Sequence, residues 1–160
     1  MKTISVMRGT VVKVTVTHRG SEQATKKLRQ VMRKVRNPSR ANKEVSVWLM
    51  RWLNENFKSQ GGKVGGWKPF KLGGRKLPGG GVDSSAKLLQ DTGRLRASFS
   101  PFYSRTTAGI GSNLNYSVAH ELGLPHKNLP SRRMLPLGSD QAVNAGIIKI
   151  YDRHIRRALR

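Results

Sequence analysis

His120-Glu121 is the one place where this chain sets a histidine directly beside a carboxylate, and it invites comparison with a zinc peptidase. That chemistry needs two histidines one helical turn apart, as in H-E-x-x-H, so that both reach a single metal. Position 124 is leucine, and the next histidine, His126, lies beyond Gly123 and Pro125. The spacing fails. With no cysteine, and with His18, His120, His126 and His154 as the only histidines, there is little from which to build a metal site. The eight carboxylates (Glu22, Glu44, Glu55, Asp83, Asp91, Glu121, Asp140, Asp152) are scattered and suggest no converging acid–base pair. No G-x-S-x-G elbow occurs either. The sequence is read as that of a non-enzyme without metal or cofactor, with His120 as a structural or interface residue.

Glycine pairs offer a second candidate chemistry. Gly61-Gly62, Gly65-Gly66, Gly73-Gly74 and Gly79-Gly80-Gly81 punctuate a basic stretch over 59–82. A phosphate cradle would need G-x-x-x-x-G-K-[ST], or G-x-G-x-x-G after a strand, and neither is present. The better description is a long, flexible, Gly-rich basic loop that orders on assembly.

Charge is the strongest compositional signal. Thirty-one Lys and Arg against 8 Asp and Glu give a formal charge of +23 on 160 residues. Like charges repel in a compact body, so such a chain usually meets a polyanion or an acidic protein. The cations are spread over 26–36, 63–76 and 153–160, which argues against one basic tail hung on a neutral domain. No apolar run approaches the roughly 20 residues of a membrane-spanning helix, and no secretory signal opens the chain. A membrane is not an expected partner.

The elements that must position these residues follow from periodicity. Val12 to Thr17 alternates with period two and reads as a half-buried strand. Leu28, Val31, Met32 and Val35 mark a helix over 21–36, which Asn37-Pro38 interrupts; Pro38 then opens the next helix with Asn37 as its cap. Val45, Trp48, Leu49, Trp52 and Leu53 mark the clearest amphipathic helix, from Ala41 to about Phe57. A short helix is expected over 84–93 and a strand through Leu95, Ala97 and Phe99, with Ala108 to Gly111 returning as its hairpin partner. A turn at Asn113 to Asn115 leads to a short helix over Tyr116 to Leu122, stopped by Gly123. Ser139-Asp140 caps a C-terminal helix with Val143, Ile147, Ile150, Tyr151, Ile155 and Leu159 on one face. Lys149, Arg153, Arg156, Arg157 and Arg160 lie toward its other face. The fold class is α+β: one domain over 1–160, with a small, mostly antiparallel sheet packed against two longer amphipathic helices.

Four segments taken in order resemble a known family. They are Gly66-Trp67-Lys68-Pro69, then Leu88 to Ser98 with its Thr92-Gly93, then Tyr116 to Gly123 following Ile110-Gly111-Ser112, and finally Leu129-Pro130-Ser131-Arg132-Arg133-Met134-Leu135. The order resembles the phage virion morphogenesis family, the tail-completion or neck proteins of Mu-like tailed phages. That family pattern runs W-x-P, L-x-x-T-G-x-L-x-x-S, Y-A-x-x-H-x-x-G and P-x-R-x-F-L, and here covers about residues 66–135. Ser117-Val118 replaces the usual small residue after the tyrosine, and Arg133-Met134 stands where the family tends to carry an aromatic.

The resemblance implies a structural virion protein at the head–tail junction, made in the bacterial host cytoplasm. It implies a subunit that assembles as a ring around the DNA channel, for example a hexamer, and joins tail to connector or tail-terminator and tube proteins. Six copies at +23 each would carry +138, which packaged DNA, contacted without sequence preference, or acidic neighbours would balance. Within that picture Trp67, Tyr116, His120, Arg132 and Arg133 are expected at an oligomer or partner interface, the two arginines in an exposed loop. Lys63, Lys68, Lys71, Arg75, Lys76, Arg153, Arg156 and Arg157 are expected to face DNA or an acidic partner. Thr92-Gly93 is expected to supply a turn with positive φ. The alternative is a free, sequence-nonspecific nucleic-acid-binding protein, which the charge permits but no helix-turn-helix, zinc-finger or RNP motif supports.

Overall fold

The computed structural model describes residues 2–4, 14–16 and 21–159. By its contacts the chain divides into two compact units, residues 1–37 with 155–160, and residues 38–154. In the first unit, β1 (Lys2–Ile4) pairs antiparallel with β2 (Val14–Val16), and α1 spans Ser21–Arg36. β2 lies inside the expected strand; Val12, Lys13 and Thr17 are outside the described residues.

The second unit is built on α2 (Ser39–Lys58). Pro38 occupies the position before the first helical residue, one place earlier than expected, and its carbonyl accepts from Asn42 N at 2.8 Å. Ala41, Asn42, Val45, Ser46, Leu49, Trp52, Leu53, Asn56 and Phe57 recur at helical spacing and form one buried stripe. The N-terminal half of that stripe (Val45, Leu49, Trp52) packs against Val143 and Ile150 of the C-terminal helix. The C-terminal half (Leu53, Phe57) packs with Trp67, Leu88, Leu95, Phe99 and Met134. Phe57 meets Trp67 edge-on at a centroid distance of 5.2 Å and Phe99 at 6.2 Å, arrangements that favour aromatic pairs beyond their buried area.

Within the Gly-rich stretch 59–82 two short elements occur. A 3-10 turn covers Gly62–Val64, and β3 (Arg75–Lys76) pairs antiparallel with β4 (Val82–Asp83). The helix expected over 84–93 is instead a series of turns. Local side-chain bonds compete with helix formation there. Asp83 Oδ1 accepts from both the N–H and the hydroxyl of Ser85. Leu88 N donates to Gln60 Oε1, and Gln90 Nε2 donates to the Phe57 carbonyl.

The strand expected through Leu95 and Ala97 is corrected as well. Residues Arg94–Ala97 form a single helical turn, α3, entered through Gly93 at φ +72°, as the Thr92-Gly93 pair implied. The strand proper is β5 (Phe99–Tyr103), antiparallel to β6 (Ala108–Ser112) with Pro101 opposite Ile110. α4 (Asn115–Leu122) and a 3-10 turn at Pro125–Lys127 follow. α5 (Gln141–Leu159) is capped by Asp140, whose Oδ1 accepts from Ala142 N at 3.0 Å and Val143 N at 3.2 Å. Its expected apolar face is buried at Val143 and Ile150 but exposed at Ile155 and Leu159; Arg160 lies outside the described residues.

The α+β class therefore holds, and all described strand pairs are antiparallel. They form separate two-stranded ladders rather than one sheet. The β5–β6 hairpin packs on α2 through Phe99 and Ile110.

Phe57 has no exposed surface and touches both aromatic partners. Phe57→Ala should cost about 3–5 kcal/mol in urea unfolding, whereas Val47→Ala, on the exposed side of the same helix, should shift the midpoint little.

Candidate functional site

The segment 129–135 is where the motif-bearing stretches meet. Leu124 and Leu129 close a small loop through an antiparallel bridge. Beyond it the backbone runs alongside α4: Arg132 N donates to the His120 carbonyl at 2.7 Å, and Ser131 Oγ to the Glu121 carbonyl at 2.7 Å. Gly123 sits at φ +79°, and a Cβ there would lie 2.7 Å from Ser131 N, so both conformation and space demand glycine.

Side chains from three other places tie the same segment down. Trp67 Nε1 donates to the Arg133 carbonyl at 2.7 Å. Asn56, fully buried on α2, donates through Nδ2 to the Met134 carbonyl at 3.1 Å and accepts from Lys63 N at 3.2 Å. Glu121 accepts from Met134 N at 2.6 Å and from Leu135 N at 3.3 Å. The carboxylate beside His120 is thus an anchor for the backbone at 134–135. Burial nonetheless pushes the Glu121 carboxyl above its usual range, against the pull of those two N–H groups and of Arg133.

Arg132 is not in an exposed loop. It is 8% exposed, donates from Nε to the Lys68 carbonyl at 2.9 Å, and lies 6.0 Å from the centre of the Phe70 ring. Arg133 is half-buried. Trp67, expected at an interface, is buried inside this unit, and Tyr116 stands exposed with its ring edge-on to His120 at 6.1 Å. His120 is half-buried; burial and then the nearby Arg132 charge lower its pKa. The structure thus brings Trp67, His120, Arg132 and Arg133 together around Met134, with Tyr116 at the rim.

Carboxylates engage several of the expected basic residues, and most of the expected basic residues are exposed. Lys63 pairs with Glu55 at 2.7 Å, Arg75 with Asp83 and Asp91, and Arg153 with Glu44, which also meets His154 Nε2 at 2.8 Å. Lys68, Lys71, Lys76, Arg156 and Arg157 are exposed. Most carboxylates of the chain are accordingly engaged: Glu44, Glu55, Asp83 and Asp91 in ion pairs, Glu121 on backbone, Asp140 at a helix cap. Among the described residues no three His, Asp or Glu converge as metal ligands, and no helix is long and apolar enough to cross a membrane.

Sequence reasoning missed Asn56 and the role of Glu121. A polar residue on the buried stripe of α2 is the signal that marks Asn56, and Asn42 shares it. Asn42 donates to the Ser104 carbonyl at 2.9 Å and accepts from the Tyr151 hydroxyl, joining α2, the β5–β6 turn and α5.

The chain matches the profile of the phage virion morphogenesis family over residues 20–156. It belongs to that family. No curated protein and no solved structure matches it. Membership carries a role in building the phage virion, in association with other virion proteins. The family motifs here converge on one buried junction that shapes the subunit.

The junction predicts a specific pH response. Burial, and then the Arg132 charge, lower the His120 pKa in the fold, whereas an unfolded chain takes up its proton below about pH 6.5. Its contribution is present in full above pH 6.5 and is lost as pH falls from there through the folded value. Glu121 has the opposite sign, since its raised pKa makes the fold gain as pH falls toward 4.5. Urea unfolding across pH 5–7.5 should show the His120→Gln variant losing less stability on acidification than the parent; equal slopes would contradict a lowered His120 pKa in the fold. Glu121→Ala should cost about 1–3 kcal/mol at neutral pH, because it leaves the Met134 and Leu135 N–H groups without their acceptor.

Proposed function

We propose that this protein is a structural subunit of the phage head–tail junction, a neck or tail-completion protein that assembles as a ring around the DNA channel and joins tail to connector. The observation that carries the reading is the family match over nearly the whole chain, borne by a body of charge +23. The surface fits that task. Lys68 and Lys71 follow the buried Trp67 on one stretch, and Lys76 lies on β3, all three exposed and in none of the ion pairs of the described residues. With most acidic groups already engaged inside the subunit, the surplus positive charge is left for a phosphate backbone or acidic neighbours. Arg157, also exposed, adds to it from α5.

Light scattering after size exclusion, on nuclease-treated protein at moderate and high salt, tests the ring. A DNA-free particle of several subunits, about six in the simplest case, is the expected result. A monomer that grows only when DNA is added, with steep salt dependence, would instead make the chain a free nucleic-acid binder. The DNA-facing part has its own test. The triple substitution Lys68→Gln, Lys71→Gln and Lys76→Gln should weaken binding to duplexes of unrelated sequence alike. It should also flatten the log–log salt slope by about 3; an unchanged slope would remove these lysines from the DNA path.

A further inference from the structure

The β5–β6 hairpin and α4 form a part of this chain that is nearly free of charge. From Phe99 to Leu124 the ionic side chains are Arg105, in the hairpin turn, and Glu121, which is turned inward onto Met134 and Leu135. The other lysines and arginines, 30 of the 31, lie elsewhere in the sequence; of these Lys43 reaches the hairpin from α2, its Nζ 6.0 Å from the centre of the Tyr103 ring on the face opposite Phe102.

Two exposed apolar patches occur in this neutral band. The first is the outer face of the hairpin. The register sets Ser100 opposite Gly111 and Phe102 opposite Gly109 on one face, while Phe99 and Ile110, on the other face, pack toward α2. The Phe102 ring lies across its glycine partners: a Cβ at Gly109 would sit 2.6 Å from the ring and one at Gly111 3.7 Å. The missing side chains let the ring lie down on the strand and make a flat plate, yet Phe102 remains 54% exposed. The second patch is Val118 and Leu122, one helical turn apart on α4, exposed at 58% and 73%.

We infer that the Phe102 plate of one subunit docks on the Val118–Leu122 face of the next copy of this chain. This deepens the ring reading above and rests on it. The argument for a second copy is electrostatic. Two bodies of +23 come into close contact at least cost where cations are few on both surfaces, since repulsion is weakly screened within the roughly 8 Å Debye length. An acidic protein or DNA would be drawn to the cationic surfaces and gains nothing from this one. Two different patches meeting head to tail form a heterologous contact, the kind that closes into rings. The contact uses the face of the hairpin, because Pro101 has no N–H and blunts β5 for edge pairing.

Opposite charges placed in the two patches test the inference. Phe102→Glu alone and Leu122→Lys alone should each reduce the light-scattering mass of the full-length protein toward the 17.8 kDa of one chain. An equimolar mixture of the two variants, or both changes in one chain, should restore the oligomer, because each new carboxylate then meets a new ammonium group. Circular dichroism on each variant checks folding; should Phe102→Glu unfold, Ser100→Glu on the same plate takes its place. An oligomer that survives either single substitution, or is not restored by the pair, overturns the interface and leaves the ring intact. A parent protein that stays monomeric at all concentrations overturns both.

Discussion

Phe57 and Leu53 are sealed at the centre of the larger unit, and the arrangement of the rest follows from what must reach them. Trp67, Leu88, Leu95, Phe99 and Met134 come from four separate stretches, Leu95 and Phe99 sharing one. Short turns and two-residue strands cannot hold their own shape in water. Each is fixed instead by sending large side chains to the end of α2. Because a stretch of backbone brought into the interior must have its polar groups satisfied, the same helix also supplies Asn56 to the carbonyls of Arg133 and Met134. Apolar burial selects which residues come in, and the buried amide selects their register.

Charge works on the molecule in the opposite sense. With 31 cations and 8 anions, self-repulsion opposes compaction throughout. The few carboxylates stand where they relieve it at joints: Asp83 and Asp91 converge on Arg75 to close the β3–β4 region, and Glu44 on α2 holds Arg153 and His154 of α5. These are largely exposed pairs whose individual worth is small, so they guide the way elements meet more than they stabilise them. What remains is a cationic surface to which the whole stretch from Phe99 to Leu124 contributes one lysine or arginine, Arg105.

The long elements were legible in the sequence because period alone defines them. The stripe from Val45 to Phe57 and the Asp140 cap are local signals, and both helices appear within a residue or two of their expected bounds. The errors fall where a local pattern was overruled from a distance. Leu95, Ala97 and Phe99 alternate like a strand, but Leu95 and Phe99 are also four apart, and one turn of helix sends both into the Phe57 cluster. Residues 84–93 have helical composition, yet Gln60 and Asp83 capture their backbone before a helix can form. Arg132 reads as exposed because it follows proline in an irregular stretch; nothing local announces that the Lys68 carbonyl and the Phe70 ring await it. The four motif segments were recognisable as a set, but not as a single place in space.

That convergence bears on what a family signature means here. Trp67, Glu121, Gly123 and Arg132 all direct their chemistry inward, to carbonyls, N–H groups or close backbone. Their spacing therefore encodes how the subunit holds its shape, and it identifies the family without naming what the subunit touches. Contacts in an assembly fall to residues that the internal bonds leave outside, and Phe102, Val118, Leu122 and the lysines at 68, 71 and 76 are among the exposed ones. Most of these stand between motif positions, where the internal junction places no demand on side-chain type. A virion part that must fit particular neighbours can then vary its outer surface freely while keeping one inner junction, which is why the motifs reveal the kind of structure being built more readily than the position within it.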